Sequence, residues 1–170
     1  FRAFFMEHFR RTRDTMVYSM GQSYDGLVSE TGATGTGDVL VGKQAGNIKV
    51  KGIFSFNTDF IPDEKVIKKA SLFIRRKEGS YSSYFYTKFP TNFQVDIKKG
   101  TFGSAAVEAS DFSETASAAD AGCFAGQPVM PDYSLRIDLI PSALSQINKS
   151  GITQFRVEIN APGGLDYTFL

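Results

Sequence analysis

The chain carries one histidine, His8, and one cysteine, Cys123. Nucleophilic catalysis needs a base that a fixed partner orients, and His8 lies near the start of the chain beside Arg10 and Arg11. Cys123 sits in a Gly/Ala run without a neighbouring His or basic residue, so it reads as a structural thiol. A single Cys forms no internal disulfide, and one His with one Cys makes no zinc site unless carboxylates join them. No pair of carboxylates stands out for glycoside hydrolysis. Asp25, Asp59, Asp63 and Asp166 are the candidate oxygen donors for a structural calcium ion, without the regular spacing of an EF-hand loop. The expectation is a chain without catalytic residues or a cofactor, calcium being the one ion considered.

Binding chemistry is better represented. Lys49 and Lys51 fall on one face of an extended run, and Arg75 and Lys77 extend the set of cations. Such cations meet the carboxylates of an acidic glycan, Arg bidentately; the competing reading is an ordinary solvated sheet face guarded by lysines. Tyr81, Tyr84, Phe85 and Tyr86 lie within six residues. Planar rings there make a platform for pyranose faces, or else they alternate into a core. The Gly/Thr stretch 31–37 lacks the Lys-Ser/Thr pair of a phosphate loop and reads as a surface loop. A net charge of +1 gives no drive toward nucleic acid, and no apolar run reaches the ~20 residues of a membrane helix.

The elements that must position these residues are strands. From 46 to 77 two alternating runs flank a Pro/Asp/Asn turn at 57–64. Val50, Gly52, Phe54 and Phe56 share one face, and Lys49, Lys51, Ile53 and Ser55 the other, which is expected to meet solvent. Further alternation marks strands at 25–28, 38–42, 70–76, 93–99, 133–140, 153–159 and 165–170. The Ala/Ser-rich stretch 105–121 predicts a short helix or ordered loop, with Asp111 and Glu114 at capping-box spacing. Pro141 opens a one- to two-turn helix over 142–148 that Gly151 stops. Within 1–21, Phe1, Phe5 and Phe9 could share a helical face. The chain's 170 residues fit one domain with a substantial core.

A series of these stretches resembles the DNRLRE domain, a family related to alginate-binding carbohydrate modules. They are Leu40-Val41-Gly42, the run 52–58, Ile61-Pro62, 67–72, 95–103, 108–112, 147–151 and 153–156, in that order. The resemblance spans 24–167 and implies an antiparallel β-sandwich of jelly-roll type, a non-catalytic role and an extracellular or cell-surface location. It also implies that the family's closing strand is displaced. Asp166-Tyr167 resemble the first half of the usual ending. Phe4, Phe5, Met16, Tyr18 and Met20 in the N-terminal segment resemble the second, with Asp14 where Pro is usual. The chain then divides into an N-terminal extension or donor strand, 1–21, and a sandwich, 22–170. The expected partners are other copies: residues 1–20 would complete a sheet that 166–170 leaves open, on the same chain or on the next. That points to a subunit of a surface filament or appendage built by strand exchange. The alternative is a module recognising an acidic polysaccharide such as alginate through Lys49, Lys51, Arg75, Tyr81 and Tyr84.

Overall fold

The computed structural model describes residues 2–8, 13–21, 23–37, 39–75, 93–124, 134–159 and 166–169. Among them the chain forms strands and short 3-10 turns and no α-helix, so it is all-β. The strands are β1 (Arg2–His8), β2 (Arg13–Tyr18), β3 (Gly26–Ser29), β4 (Thr34–Thr36), β5 (Val39–Gln44) and β6 (Ile48–Asn57). After them come β7 (Ile67–Arg75), β8 (Phe93–Lys99), β9 (Gly122–Phe124), β10 (Ser134–Leu139), β11 (Ile152–Ile159) and β12 (Asp166–Phe169). Paired strands run antiparallel. They build a five-stranded sheet in the order β2-β1-β7-β10-β9 (sheet I) and a seven-stranded sheet with the path β12-β5-β6-β11-β8 (sheet II). In sheet II, β3 also pairs with β6, and β4 with β3.

The two sheets face one another across a single apolar layer. Leu72 and Ile74 of β7 and Leu135 and Ile137 of β10 meet Phe54, Phe56, Val95, Phe155 and Val157 of sheet II, all of them buried. Period-two alternation sends these side chains to one side of each strand, and burying each is worth ~1.5–3 kcal/mol. Gly52 belongs to this pattern for a steric reason. A Cβ there would lie 2.5 Å from Val39 Cγ1 and 2.9 Å from Val41 Cγ2, so the close packing of β5 on β6 requires its absence.

The outer face of β6 differs from the solvated face expected of it. Ile53 and Ser55 are fully buried. The segment 101–118 folds over this face, and Phe102 joins Val28 and Ile53 in a second apolar cluster, with Val107 and Phe112 packed against it. Of the short helix or ordered loop expected over 105–121, the structure has an ordered loop holding one 3-10 turn, Ala109–Phe112. Its capping box joins Glu108 and Asp111, three residues earlier than the Asp111–Glu114 pair read from spacing. Pro141–Gln146 is likewise a 3-10 turn, with Pro near its start as expected. The 31–37 loop contains β4, a short strand that turns back on β3.

One side of the sandwich is closed by chain crossing between sheets. Ile97 N–H donates to Ala118 O at 2.9 Å, Ala121 N–H to Val95 O at 2.6 Å, and Ile140 N–H to Ala121 O at 3.0 Å. The 117–122 segment therefore covers the β8 edge on its way to β9 and occupies backbone groups that would otherwise recruit another strand.

Within the N-terminal segment, Arg2–His8 and Arg13–Tyr18 are extended strands, not helix. β1 lies between β2 and β7, with Phe4 opposite Val17 on one side and Leu72 on the other. Phe1 and Phe9 lie outside the described residues. The expectation that 1–20 completes the sheet holding 166–170 is corrected: β12 pairs with β5 in sheet II, whereas β1 and β2 belong to sheet I of the same chain.

Candidate functional site

β2 is the outermost strand of sheet I. Val17 packs against the core, and its neighbours in the alternation, Met16 and Tyr18, are 49% and 55% exposed. An edge strand bearing apolar side chains on its outward positions is a template for pairing with further chain. Phe4 and Phe5 lie on β1, where Phe5 is in register with Met16 and Ser71. Met20 follows β2 and anchors it to the other sheet: its N–H donates to Ser55 O at 2.8 Å. The structure thus gathers Phe4, Phe5, Met16, Tyr18 and Met20 on one hairpin and its exit.

The cations and rings proposed for glycan contact are not gathered in this way. Lys51 is largely covered. Its ammonium lies 3.0 Å from Glu158 Oε2, donates to Phe112 O at 3.2 Å and sits 4.4 Å above the Phe112 ring. Lys49 is more open, with Glu158 Oε1 at 3.9 Å. Arg75 ends β7 in sheet I, the other layer of the molecule. Tyr81 and Tyr84, with Lys77, Phe85 and Tyr86, lie outside the described residues.

The four candidate calcium donors are dispersed. Asp25 is buried, and its Oδ1 accepts the Ser55 N–H at 2.8 Å. Asp59 and Asp63 are exposed on the 57–66 loop, and Asp166 belongs to β12. Among the described residues no group of three or more His, Cys, Asp or Glu is placed to hold a metal ion. His8 closes β1, and Cys123 is on β9 in register with Asp138.

A polar network that sequence reasoning missed lies between sheet II and the 101–118 cap. Arg156 is 7% exposed. Its guanidinium donates to Asp96 Oδ2 (3.1 Å from Nε) and, from Nη1, to the carbonyls of Asp111 and Glu114, both at 2.8 Å; it stacks 4.4 Å from the Phe102 ring. Beside it, Gln154 accepts the Phe102 N–H at 2.7 Å and donates to Ser55 Oγ at 3.0 Å. Along β11 the residues Gln154, Arg156 and Glu158 alternate with apolar ones, the pattern of a solvated face. Only the folded cap turns them into an interior.

Asp111 is the strained member. It is fully buried, Oδ2 accepts the Glu108 N–H at 3.0 Å, and Oδ1 has no hydrogen-bond partner. A Cβ on Gly103 would fall 2.0 Å from Glu108 Oε1 and 2.9 Å from Asp111 Oδ1, so a larger residue there would displace one or both carboxylates. Desolvation, with the charges of Glu108 and Glu114, pushes the Asp111 carboxyl above its usual 3.8, against the Glu108 N–H and Arg156. A raised folded pKa means that stability from this group is present below the unfolded value and is lost as pH rises through the folded one. Asp111→Asn keeps an acceptor for Glu108 N–H and removes the charge that burial penalises. The variant is expected to gain roughly 1 kcal/mol at neutral pH, the scale of desolvating one buried polar group. Urea denaturation across the acid-to-neutral range should show the wild-type decline flattened in the variant; equal pH slopes would refute the assignment.

The chain matches no protein-family model, no curated protein and no solved structure.

Proposed function

We propose that the protein is a non-catalytic extracellular structural module, a subunit of a surface filament or appendage, assembled by exchange of its β1–β2 hairpin between copies. The observation that carries this reading is that β1 and β2 form one hairpin whose only strand ladder to the rest of the chain, among the described residues, is that of β1 on β7. In a free subunit the hairpin pairs with its own β7 along the register from Arg2↔Ile74 to His8↔Ile67. In an assembly the same ladder forms with the β7 of a neighbour, and the chain between β2 and the bonds that Met20 and Asp25 make to Ser55 has to open for the exchange. Exchange of an identical element costs little because the contacts are the same, and a head-to-tail exchange propagates. The resemblance to the DNRLRE family and its jelly-roll connectivity belong to this proposal and are compatible with the two-sheet architecture.

A surface for acidic glycans built on Lys49, Lys51 and Arg75 has less support, because Glu158 and Phe112 engage Lys51 and Arg75 lies on the other sheet.

Deleting 1–20 is a poor test, since it removes two strands of sheet I and bares β7. Phe5→Cys with Ser71→Cys places two thiols in register across β1 and β7, and oxidation of the monomer ties the hairpin to its own chain. Light scattering and electron microscopy are expected to show polymers of the wild type and folded monomers or short oligomers of this variant. Undiminished polymers would sink the proposal.

A further inference from the structure

One corner of the molecule carries an exposed apolar knob beside an open, lysine-rimmed groove. Among the described residues the exposed large apolar side chains are Met16, Tyr18, Phe60 and Val66. The first two are on β2; the other two share the 57–66 loop. This loop is bound to the 141–151 segment. Thr58 N–H donates to Gly151 O at 3.0 Å, and Thr58 Oγ1 lies 2.7 Å from Thr153 Oγ1. Lys149 Nζ donates to Asp63 O at 2.8 Å and to Lys65 O. Between the two segments and the end of β8 lies a groove of about 650 Å³, lined among others by Lys65, Val66, Lys99, Leu144 and Lys149.

The volume is that of a ligand pocket, and the bonded walls mean little ordering entropy is lost on filling it. Its apolar floor is open, with Val66 63% exposed. Phe60 is 47% exposed and is flanked by exposed Asp59, Asp63 and Glu64. Asp63 and Lys65 belong to both the loop and the groove wall and offset one another, which leaves Asp59 and Glu64 on the loop against Lys99 and Lys149 at the groove. A foreign polyanion meets the acids and a foreign polycation the lysines, but a second copy presents the opposite charge to each.

We propose that this corner is a two-fold contact between copies, in which the Phe60 loop of each chain seats in the lysine-rimmed groove of the other. A two-fold interface needs one patch that bears both halves of the contact, and this corner does. An aromatic anchor surrounded by a charged rim is the usual distribution of energy in such interfaces. The contact uses no residue of β2 and stands without the hairpin exchange; where both operate, exchange extends a filament and this corner joins two of them.

Sedimentation equilibrium on the oxidised Phe5→Cys, Ser71→Cys background, whose hairpin is tied to its own chain, reads this contact alone. The expected result is a monomer–dimer equilibrium that Phe60→Ser and Lys99→Glu each weaken at least tenfold. Asp59→Lys with Glu64→Lys should weaken it too, and adding Lys99→Glu to that pair should restore it. These positions are exposed, so the variants fold. A background protein that stays monomeric at about 1 mM, the limit of a meaningful contact, overturns the proposal. So does an unchanged dissociation constant in the Phe60 and Lys99 variants. Poly-glutamate binding to a monomer in a Lys99-dependent way would assign the groove to a foreign acidic chain, and also overturns it. Polymers persisting in the background protein would instead count against the hairpin exchange, and the Phe60 and Lys99 variants would still report on this corner.

Discussion

Arg156→Ala is expected to lower the unfolding free energy by about 3–5 kcal/mol, the cost of breaking a buried ion pair by removing one partner. The reason is the number of groups that depend on one guanidinium. Asp96 loses its cation, the carbonyls of Asp111 and Glu114 lose a shared donor, and the Phe102 ring loses its stacking partner. Asp111 loses a favourable charge as well, so its carboxyl is driven further toward the protonated form. All of these except Asp96 belong to the 101–118 cap. The loss should therefore be local before it is global, and amide hydrogen exchange should rise first in that segment. Arg156→Lys keeps the charge but not the planar fork, and one ammonium cannot reach all three oxygens with the same geometry. It should recover only part of the stability. Denaturant midpoints within error of the wild type for Arg156→Ala would show that the cap is held by apolar contact alone.

Phe155→Ala is expected to cost a similar amount, about 3–5 kcal/mol, through a different mechanism. Phe155 lies on the strand shared by β6 and β8, with its backbone opposite Phe54 and Ile97. It is fully buried and meets the Phe56 ring edge-on, centroids 5.6 Å apart at 78°. Truncation leaves a void that rigid strands on both sides cannot close, so the transfer and cavity costs add. Against a total stability of about 5–15 kcal/mol for such a domain, this variant is marginal. Phe155→Leu fills most of the space and should lose clearly less. Thermal or chemical unfolding of the two variants side by side checks the ordering, and equal losses would point to the edge-to-face pair in place of volume.

These two residues mark where sequence reading works and where it stops. Phe155 is legible: it falls in phase with Val157 and Ile159 along β11, and alternation over 153–159 is what marks that strand in the sequence. The same alternation puts Arg156 on the opposite face, and for β6 in the same sheet that face is the one expected to meet solvent. The error was not in the phase, because Arg156 does point away from the main core. It lay in assuming that the second face of sheet II was bare. The Ala/Ser-rich stretch that covers it has no periodicity, and the signals it does carry are local ones such as the Glu108–Asp111 box.

Lys51 shows the same limit from the functional side. Its spacing from Lys49 suggested a cationic surface, yet Phe112, 61 positions away, meets it through the cap, and Glu158 through the β6–β11 neighbourhood. The edge position of β2 was also outside what pattern could supply. Alternation at Met16, Tyr18 and Met20 indicated a strand, but a strand's partners are chosen by the other strands with matching faces, and β7 took β1 on one side.

The sequence by itself determined the secondary structure class and the inward face of most strands, because side-chain period in a strand is a property of the local backbone. Tertiary structure alone decided which strands became neighbours, which outer face was covered, and which polar side chains lost their water. Those outcomes depend on contacts between residues tens of positions apart, and nothing in the local spacing of Gln154, Arg156 or Asp111 encodes the cap that buries them.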